Sequence, residues 1–282
     1  MKRPPHSMNR RDFVLAAGVG GAMIAAGSLQ DAGVAKATPA GDFQSMTKPT
    51  FVLVHGAWHG GWCWKKMAPL LREAGHDVFT PTLTGLGERV HLLAPEIDLT
   101  THIDDVLGVL EYEDLTDVVL VGHSYGGMVI SGVAERADGR IAHLVYLDAF
   151  LPEDGKALRD YAPGDILDGM VNTTGDGWRL PSFMFATDFG VTDEDDIAWV
   201  NARLGDQPYK TFTQPLDLAA DPGDAIQRAY ILTTQDTFVP HAARAQQLGF
   251  DYHELFSAGH DSMVTQPAEL AALFLKLAQP GA

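Results

Sequence analysis

The run from Val118 to Ile130 (VVLVGHSYGGMVI) constrains the fold of this chain more than any other, because it places a serine between two glycines where a strand gives way to a helix. The residues before Gly122 are apolar and mostly β-branched, which favours a buried strand. Gly122 and Gly126 have no side chain, so backbone segments can pack closely at these positions. The apolar residues after them begin a helix face. The pattern predicts a sharp turn at the end of a sheet, with the Ser124 hydroxyl exposed.

The first 37 residues have the composition of an export signal, with a basic start, an apolar middle and a small-residue exit. Arg10 and Arg11 precede the apolar stretch 13–29, and the sequence AKA at 35–37 fits a cleavage site. The alternative is a transmembrane anchor. It is disfavoured because the stretch is rich in Gly and Ala and shorter than the roughly 20 residues of a typical span. We therefore expect a twin-arginine-type signal, a periplasmic or secreted protein, and no stable membrane anchor after cleavage.

The rest of the chain is strongly acidic. The full sequence has a formal net charge of −17, and beyond residue 37 it carries 35 Asp and Glu against 15 Lys and Arg. Nucleic acid is therefore not expected as a partner, because phosphate binding needs a basic face. The one cysteine, Cys63, lies between two tryptophans and cannot form an internal disulfide. With no basic neighbour it is interpreted as a core residue rather than a nucleophile.

Strand and helix patterns alternate along the chain. Helical spacing of apolar residues follows two of the strands, and the last helix is predicted to begin at Pro267. This alternation predicts an α/β fold with a mostly parallel central sheet flanked by helices, formed by residues 38–152 and 226–282. The predicted strands are 51–54, 78–80, 118–121, 144–147, 230–233 and 252–256.

The alternation breaks at residues 153–225, where prolines recur and no convincing strand is found. A helix is predicted to open at Thr192 and to place Ile197, Val200 and Leu204 on one face. An insertion at the carboxyl end of such a sheet lies over the ligand crevice, so the segment is interpreted as a mainly helical lid. The alternative for each of its aromatic residues is that it only packs the lid against the body. The candidate pocket residues are Trp58, Trp178, Phe183, Phe185 and Trp199.

Serine chemistry needs two further side chains. A hydroxyl is a poor nucleophile at neutral pH unless a histidine takes its proton and an acid holds that histidine. The expected chain order is Ser124, acid, base. His260 fits the base because it lies between the last predicted strand and the last helix. Asp236 at the end of the preceding strand is the favoured acid, and Asp148, which ends an earlier strand, is the alternative; Asp261 is expected to point elsewhere.

A tetrahedral intermediate also needs two backbone N–H donors for its oxyanion. The residue after the nucleophile, Tyr125, supplies one, and Ala57 in the glycine-rich loop after the first strand is the natural second donor. His55 and His59 in the same loop could suggest a metal site. No third ligand accompanies them, so no metal and no cofactor are predicted.

Four sequence blocks at 51–64 (FVLVHGAWHGGWCW), 75–78 (GHDV), 122–127 and 259–260 resemble the α/β-hydrolases of the plant methylesterase and hydroxynitrile lyase group and their bacterial relatives. The resemblance covers most of the chain beyond the signal except the insertion, and it implies the α/β-hydrolase fold. It also implies the same site residues, namely nucleophile Ser124, base His260, acid Asp236 and oxyanion donors Ala57 and Tyr125.

Within that group the lyases carry a threonine where Gly56 stands and a lysine beside the catalytic histidine. Asp261 occupies the second position here, which favours ester hydrolysis. The expected function is thus an exported serine carboxylester hydrolase that forms an acyl-enzyme. Amide or lactone cleavage by the same residues is the main alternative, followed by lyase activity and by a non-catalytic small-molecule binder.

The insertion 153–225 carries 15 Asp and Glu against 5 Lys and Arg. Carboxylates over a pocket mouth disfavour an approaching anion, so a neutral, apolar ester of small or medium size is expected as substrate. The same charge would be present if it served only to keep the surface soluble.

Overall fold

The computed structural model describes residues 48–162, 166–219, 226–234 and 237–279; the predicted signal at 1–37 lies outside these ranges. The strands are β1 (Phe51–Val54), β2 (Val78–Phe79), β3 (Val118–His123), β4 (Ile141–Leu147), β5 (Arg179–Leu180), β6 (Gln207–Pro208), β7 (Gln227–Leu232) and β8 (Asp251–Glu254). The α-helices are α1 (Ala68–Glu73), α2 (Leu99–Tyr112), α3 (Gly126–Arg136), α4 (Ile166–Val171), α5 (Glu194–Asn201), α6 (Lys210–Thr213), α7 (Val239–Gln247), α8 (Ser262–Thr265) and α9 (Pro267–Leu277).

Six of these strands form a parallel sheet in the order β2-β1-β3-β4-β7-β8, which confirms the predicted fold class and all six predicted strands. The central strands β1 and β3 are buried on both faces of the sheet. Alternate residues of β1 and β3 pack into a core with α2, α3 and α7 on one face, and the residues between them pack against α1 and α9 on the other. Strands covered on both sides must be apolar at every position, which is why their sequences read as continuous hydrophobic runs.

The ends of three helices follow from the residues at their boundaries. Helix α1 ends at Glu73 before Gly75, which has a left-handed φ of 90° that favours glycine. Helix α2 begins after Asp98, whose carboxylate accepts a hydrogen bond from the N–H of Thr101 at 2.9 Å. Helix α9 begins at Pro267 as expected. None of the helices within the described ranges is both long enough and apolar enough to cross a bilayer.

Two expectations for the insertion between β4 and β7 were wrong. It contains an antiparallel pair of two-residue strands, β5 and β6, which are too short to show the period of two that identifies a strand. Helix α5 is capped by Asp193 rather than Thr192, because the Asp193 carboxylate accepts from the N–H groups of Asp195 and Asp196 at 3.1 Å. The helix ends at Asn201, so Leu204 follows it.

The turn between β3 and α3 is packed so closely that only glycine fits at three positions. A Cβ on Gly122 would lie 2.5 Å from the carbonyl oxygen of Gly126, and one on Gly126 would lie 2.9 Å from that of Val54. A Cβ on Gly127 would lie 2.1 Å from the carbonyl oxygen of Phe150. Backbone atoms cannot move aside as a flexible side chain can, so these glycines fix how near α3 comes to the strand ends.

We expect Gly127→Ala to lower the free energy of unfolding by about 3 kcal/mol, because helix α3 must shift away from the strand ends. Gly108→Ala is the matched control. Gly108 lies in the interior of α2 with no atom within 4 Å of a new Cβ, so alanine there should stabilise the protein by about 0.5 to 1 kcal/mol. Urea unfolding measures both. Equal stability of the Gly127→Ala variant and the wild type would show that the contact with Phe150 does not constrain the fold.

Candidate functional site

Ser124 lies at the turn that joins β3 to α3. Its φ of 55° is in the left-handed region that residues other than glycine rarely adopt. The turn is held by its own backbone: the Ser124 N–H donates to the carbonyl of Leu147 at 3.2 Å, and its carbonyl accepts from the N–H groups of Gly127 and Phe150 at 3.0 and 3.1 Å. These bonds maintain the strained conformation that presents the Ser124 side chain to a cavity.

His260 lines the same cavity as Ser124, and its ring is held by a buried carboxylate. The Nδ1–H of His260 donates to Oδ2 of Asp148 at 2.7 Å. Asp148 also accepts from the N–H groups of Thr233 and Thr234 at 2.9 and 3.2 Å, and from the Thr234 hydroxyl at 2.9 Å. Burial would raise the pKa of Asp148, but these donors and the charge of His260 lower it below its usual value, so the carboxylate is ionised.

Of the two acid candidates, the structure describes one, Asp148. The favoured acid, Asp236, lies outside the described residues. His260 has one proton to donate from Nδ1, and its acceptor is Asp148, which the sequence reasoning held as the alternative. Both residues follow strands, and β4 and β7 are neighbours in the sheet, so their loops start at the same edge. Chain order alone therefore could not distinguish them.

Neighbouring rings and one backbone contact orient His260 further. Its imidazole stacks on Phe238 with ring centroids 4.9 Å apart and lies 5.8 Å from Phe189. The buried His123, directly before Ser124, donates from Nε2 to the carbonyl of His260 at 3.0 Å. Burial lowers the pKa of His123 well below its usual value, so this ring is neutral and its Nδ1 has no hydrogen-bond partner in the described structure. The turn at Ser124 is thereby bonded to the loop of His260.

The predicted oxyanion donors, Ala57 and Tyr125, both line this cavity. The Ala57 N–H belongs to the peptide between Gly56 and Ala57. The carbonyl of this peptide is held by His55, whose Nδ1–H donates to the Gly56 oxygen at 2.8 Å. His55 Nε2 accepts from the N–H of Leu83 at 3.1 Å, which fixes this tautomer. Burial lowers the pKa of His55 to about 3, so the ring stays neutral.

The side chain of Tyr125 is wholly buried beneath the cavity. Its hydroxyl donates to Nδ1 of His102 at 2.9 Å, and His102 Nε2 donates to the carbonyl of Thr84 at 2.9 Å. Burial lowers the pKa of His102 to about 4, so it too is neutral. Tyr125 is therefore anchored at both its backbone and its side chain, which fixes the start of α3.

The cavity has a volume of about 370 Å³. Of the five predicted pocket residues, Trp58 and Phe183 line it, and their rings are in edge contact at 5.2 Å. Its other apolar lining residues among those described are Phe150, Leu158, Ala162, Ile166, Leu167, Met184, Phe189, Phe212 and Phe238.

The other three predicted pocket residues, Trp178, Phe185 and Trp199, are not among the described lining residues. Trp199 packs edge-on against Trp62, Trp178 lies beneath the guanidinium of Arg179, and Phe185 is largely exposed. An aromatic composition does not distinguish these environments, because the short elements of the insertion have no period that would orient each ring.

Phe150 and Phe238 are among the aromatic lining residues that the sequence pattern did not identify. Phe150 follows β4 and Phe238 lies just before α7, so both are in loops at the carboxyl edge of the sheet. Position directly after a parallel strand is the signal that could have identified them. Within the described ranges, no three His, Cys, Asp or Glu side chains are grouped to hold a metal.

Comparison with known proteins agrees with this geometry. Residues 51–273 match the pattern of the Alpha/beta hydrolase family. The chain belongs to this family. A carbendazim-hydrolysing esterase from Nocardioides sp. (strain SG-4G) is 44% identical over 239 residues, which cover 78% of this chain and 96% of the relative. Salicylic acid-binding protein 2 from Nicotiana tabacum is 28% identical over 254 residues, which cover 81% of this chain and 96% of the relative.

A solved structure is similar over nearly its whole length. An extracellular alpha/beta-hydrolase from a Paenibacillus species, described as sharing structural and functional homology with the tobacco protein, superposes with a TM-score of 0.70 at 26% identity. The match covers 81% of this chain and 98% of that one. Together with the esterase relatives, it shows that the chain is a hydrolase of the carboxylesterase type.

We expect Asp148→Asn to lower kcat/KM for a p-nitrophenyl ester by on the order of a thousandfold or more. An amide at this position accepts poorly from His260 Nδ1–H and allows the wrong tautomer. Asp236→Asn, the matched control, should keep near wild-type rates. Thermal unfolding checks that both variants fold, and the opposite ranking of their rates would return the acid role to Asp236.

Proposed function

We propose that this chain hydrolyses carboxylic esters through an acyl-enzyme, with Ser124 as nucleophile, His260 as general base and Asp148 as the acid that orients the base. The observation that carries the proposal is the 2.7 Å hydrogen bond from His260 Nδ1 to Asp148, on a ring that shares a cavity with Ser124. With the proton held at Nδ1, the lone pair of Nε2 is available to accept the proton of the Ser124 hydroxyl.

The reaction follows from these positions. Ser124 Oγ attacks the ester carbonyl carbon while His260 Nε2 takes its proton, and the ionised Asp148 stabilises the imidazolium that forms. The N–H groups of Ala57 and Tyr125 stabilise the oxyanion, where one such donor contributes about 3 to 4 kcal/mol to the transition state. His260 then protonates the departing alcohol. A water activated by the same histidine releases the acid and restores Ser124.

Gly56 supports hydrolysis over the lyase alternative. A Cβ built on Gly56 would lie 2.9 Å from Cβ of Ser124 and 3.0 Å from Nδ1 of His123. The loop therefore lies so close to the nucleophile that glycine fits at this position without a clash. A threonine here would require the nucleophile or the loop to shift. No side chain at position 56 therefore lies between Ser124 and this loop, which leaves the hydroxyl free to attack an ester carbonyl.

The substrate that this cavity favours is a neutral, apolar ester of small or medium size. Its described lining is mainly aromatic and aliphatic, and it contains no Lys or Arg that could bind an anionic group. The one Asp or Glu among these described residues is Asp188, an exposed side chain whose Oδ2 accepts from the N–H of Phe185 at 2.8 Å. An anionic ester would meet this carboxylate without a compensating cation.

The effect of the insertion on an anionic substrate depends on the individual carboxylates near the cavity and not on its net charge. Several of its carboxylates are paired with cations, which reduces their field at the cavity. Asp188 combines exposure with a position on the cavity lining, so we attribute the preference for neutral substrates to this side chain. The 44% identical relative hydrolyses carbendazim by its name, and we propose carbendazim as one compound that this chain accepts.

The test compares p-nitrophenyl pentanoate with the p-nitrophenyl monoester of glutaric acid, which has an acyl chain of the same length ending in a carboxylate. We expect kcat/KM to be at least about tenfold higher for the pentanoate at low salt, because the anion is repelled by Asp188. The difference in kcat/KM between the two esters should become smaller in Asp188→Asn and in about 1 M salt, where the Debye length falls to about 3 Å. Carbendazim is assayed beside both esters.

Ser124→Ala is the control for the chemistry. It should remove turnover of all three compounds and labelling by a fluorophosphonate while leaving the unfolding temperature near that of the wild type. Turnover that survives in Ser124→Ala would refute the serine mechanism. If neither salt nor Asp188→Asn changes the difference in kcat/KM, the apolar cavity and not Asp188 selects the neutral ester. Faster turnover of the anionic ester would refute the substrate proposal.

We propose further that residues 1–37 export the folded enzyme by a twin-arginine route. The support is the paired arginines before an apolar stretch, together with the extracellular description of the similar Paenibacillus hydrolase. Replacing Arg10 and Arg11 by lysine should leave precursor in the cytoplasm, as measured by fractionation. Mass spectrometry of exported protein should find an N-terminus near Thr38, and an intact Met1 on active exported protein would contradict cleavage.

A further inference from the structure

A second buried His–Asp pair lies beside the catalytic residues. His59 is in the loop after β1, two residues beyond Ala57, and Asp261 directly follows His260. Nε2 of His59 is 3.2 Å from Oδ2 of Asp261, and the two side chains are 1% and 0% exposed. The pair therefore joins the loop of the proposed oxyanion donor to the loop of the proposed base.

Both nitrogens of His59 face acceptors. Nδ1 is 2.7 Å from the carbonyl oxygen of Ala57, and Nε2 faces the Asp261 carboxylate. A neutral imidazole has one N–H, so both hydrogen bonds form together when the ring is an imidazolium. Burial would lower the pKa of His59, but the charge and hydrogen bond of Asp261 outweigh it and raise this pKa. His59 also stacks on Trp62 with centroids 5.2 Å apart, and an indole face attracts a cation.

The bond from His59 completes the fixing of Ala57. The peptide after Ala57 is held at both ends, since its carbonyl accepts from His59 Nδ1 and the Trp58 N–H donates to Oε1 of Gln207 at 3.1 Å. The peptide before Ala57 is held by His55 at the Gly56 carbonyl. With both flanking peptides fixed, the direction of the Ala57 N–H is fixed as well.

Asp261 is committed to His59. Its Oδ1 has no hydrogen-bond partner in the described structure, so His59 is the polar partner that this buried carboxylate has. A buried carboxylate with so few donors destabilises a fold unless its charge is compensated. The Asp261 N–H donates to the carbonyl of Phe189 at 2.9 Å, and the Phe189 ring contacts both His59 and His260. A movement of this pair would therefore move the base as well.

We propose that His59 and Asp261 form a positioning pair that locks the peptide after Ala57, next to the one that carries the oxyanion donor, to the loop carrying the catalytic base. This inference rests on the ester hydrolysis proposed above. The pair does not contact substrate. It acts by holding a donor where negative charge develops in the transition state, so its loss should lower kcat and leave KM nearly unchanged.

The test uses two substitutions that each keep one arm of the imidazole. The amide nitrogen of asparagine takes the place of Nδ1, so His59→Asn keeps a donor for Ala57 and loses Asp261. The amide nitrogen of glutamine takes the place of Nε2, so His59→Gln keeps a donor for Asp261 and loses Ala57. The matched control is His253→Asn, which removes a His–Asp pair of 2.8 Å between His253 Nε2 and Asp251 on strand β8, away from the cavity lining.

We expect His59→Gln to lower kcat for p-nitrophenyl pentanoate about 30-fold or more, and His59→Asn and Asp261→Asn about three- to tenfold, with KM within about twofold of wild type. The kcat of the double variant His59→Gln/Asp261→Asn should lie within about threefold of the kcat of His59→Gln, because the residues act as a unit. His253→Asn should match the wild type. Rates are expressed per active site by fluorophosphonate titration, so misfolded protein does not count.

Equal losses in His59→Asn and His59→Gln, a rise in KM without a fall in kcat, or multiplying effects in the double variant would each overturn the positioning role. An unchanged kcat in all variants would do the same. These outcomes differ from a failure of ester hydrolysis itself, in which the wild type would show no Ser124-dependent turnover.

Discussion

The close approach of helix α3 to the ends of its neighbouring strands is the contact on which the rest of the site depends. Backbone carbonyls lie where Cβ atoms of Gly122, Gly126 and Gly127 would otherwise be. The chain reverses within this space only if Ser124 adopts a left-handed conformation, which costs about 1 to 3 kcal/mol and is maintained by the surrounding hydrogen bonds. The strain places the hydroxyl at the open edge of the sheet.

Buried imidazoles surround this turn and bond it to neighbouring segments. His55, His102 and His123 are neutral because burial lowers their pKa, and each bonds to backbone or to a buried hydroxyl. His59 differs because Asp261 compensates its charge. Donors and rings that are already fixed need not reorganise when charge develops on a bound ester, and such electrostatic preorganisation is usually the largest single contribution to enzymatic rate.

The insertion contributes the cavity walls through short elements. Its helices and strands lack the length that would give them independent stability, so their positions depend on packing against the body. Trp58 illustrates this: its indole N–H donates to the carbonyl of Leu180 at 3.1 Å, and its ring contacts Phe183 and Phe212. A residue of the loop after β1 thus anchors the insertion, and the same contacts bring apolar surface over Ser124.

The sequence by itself determined the parallel sheet, the turn at Ser124 and the position of His260, because apolar runs, glycine clashes and chain order are local or follow one topological rule. It did not determine the acid. Asp148 and Asp236 both follow strands at one sheet edge, and the side chain that reaches His260 Nδ1 is decided by the three-dimensional path of two loops. The cavity lining and the pairing of His59 with Asp261 were likewise decided by the tertiary structure, since 202 residues separate that pair and no local pattern encodes a contact at such a distance.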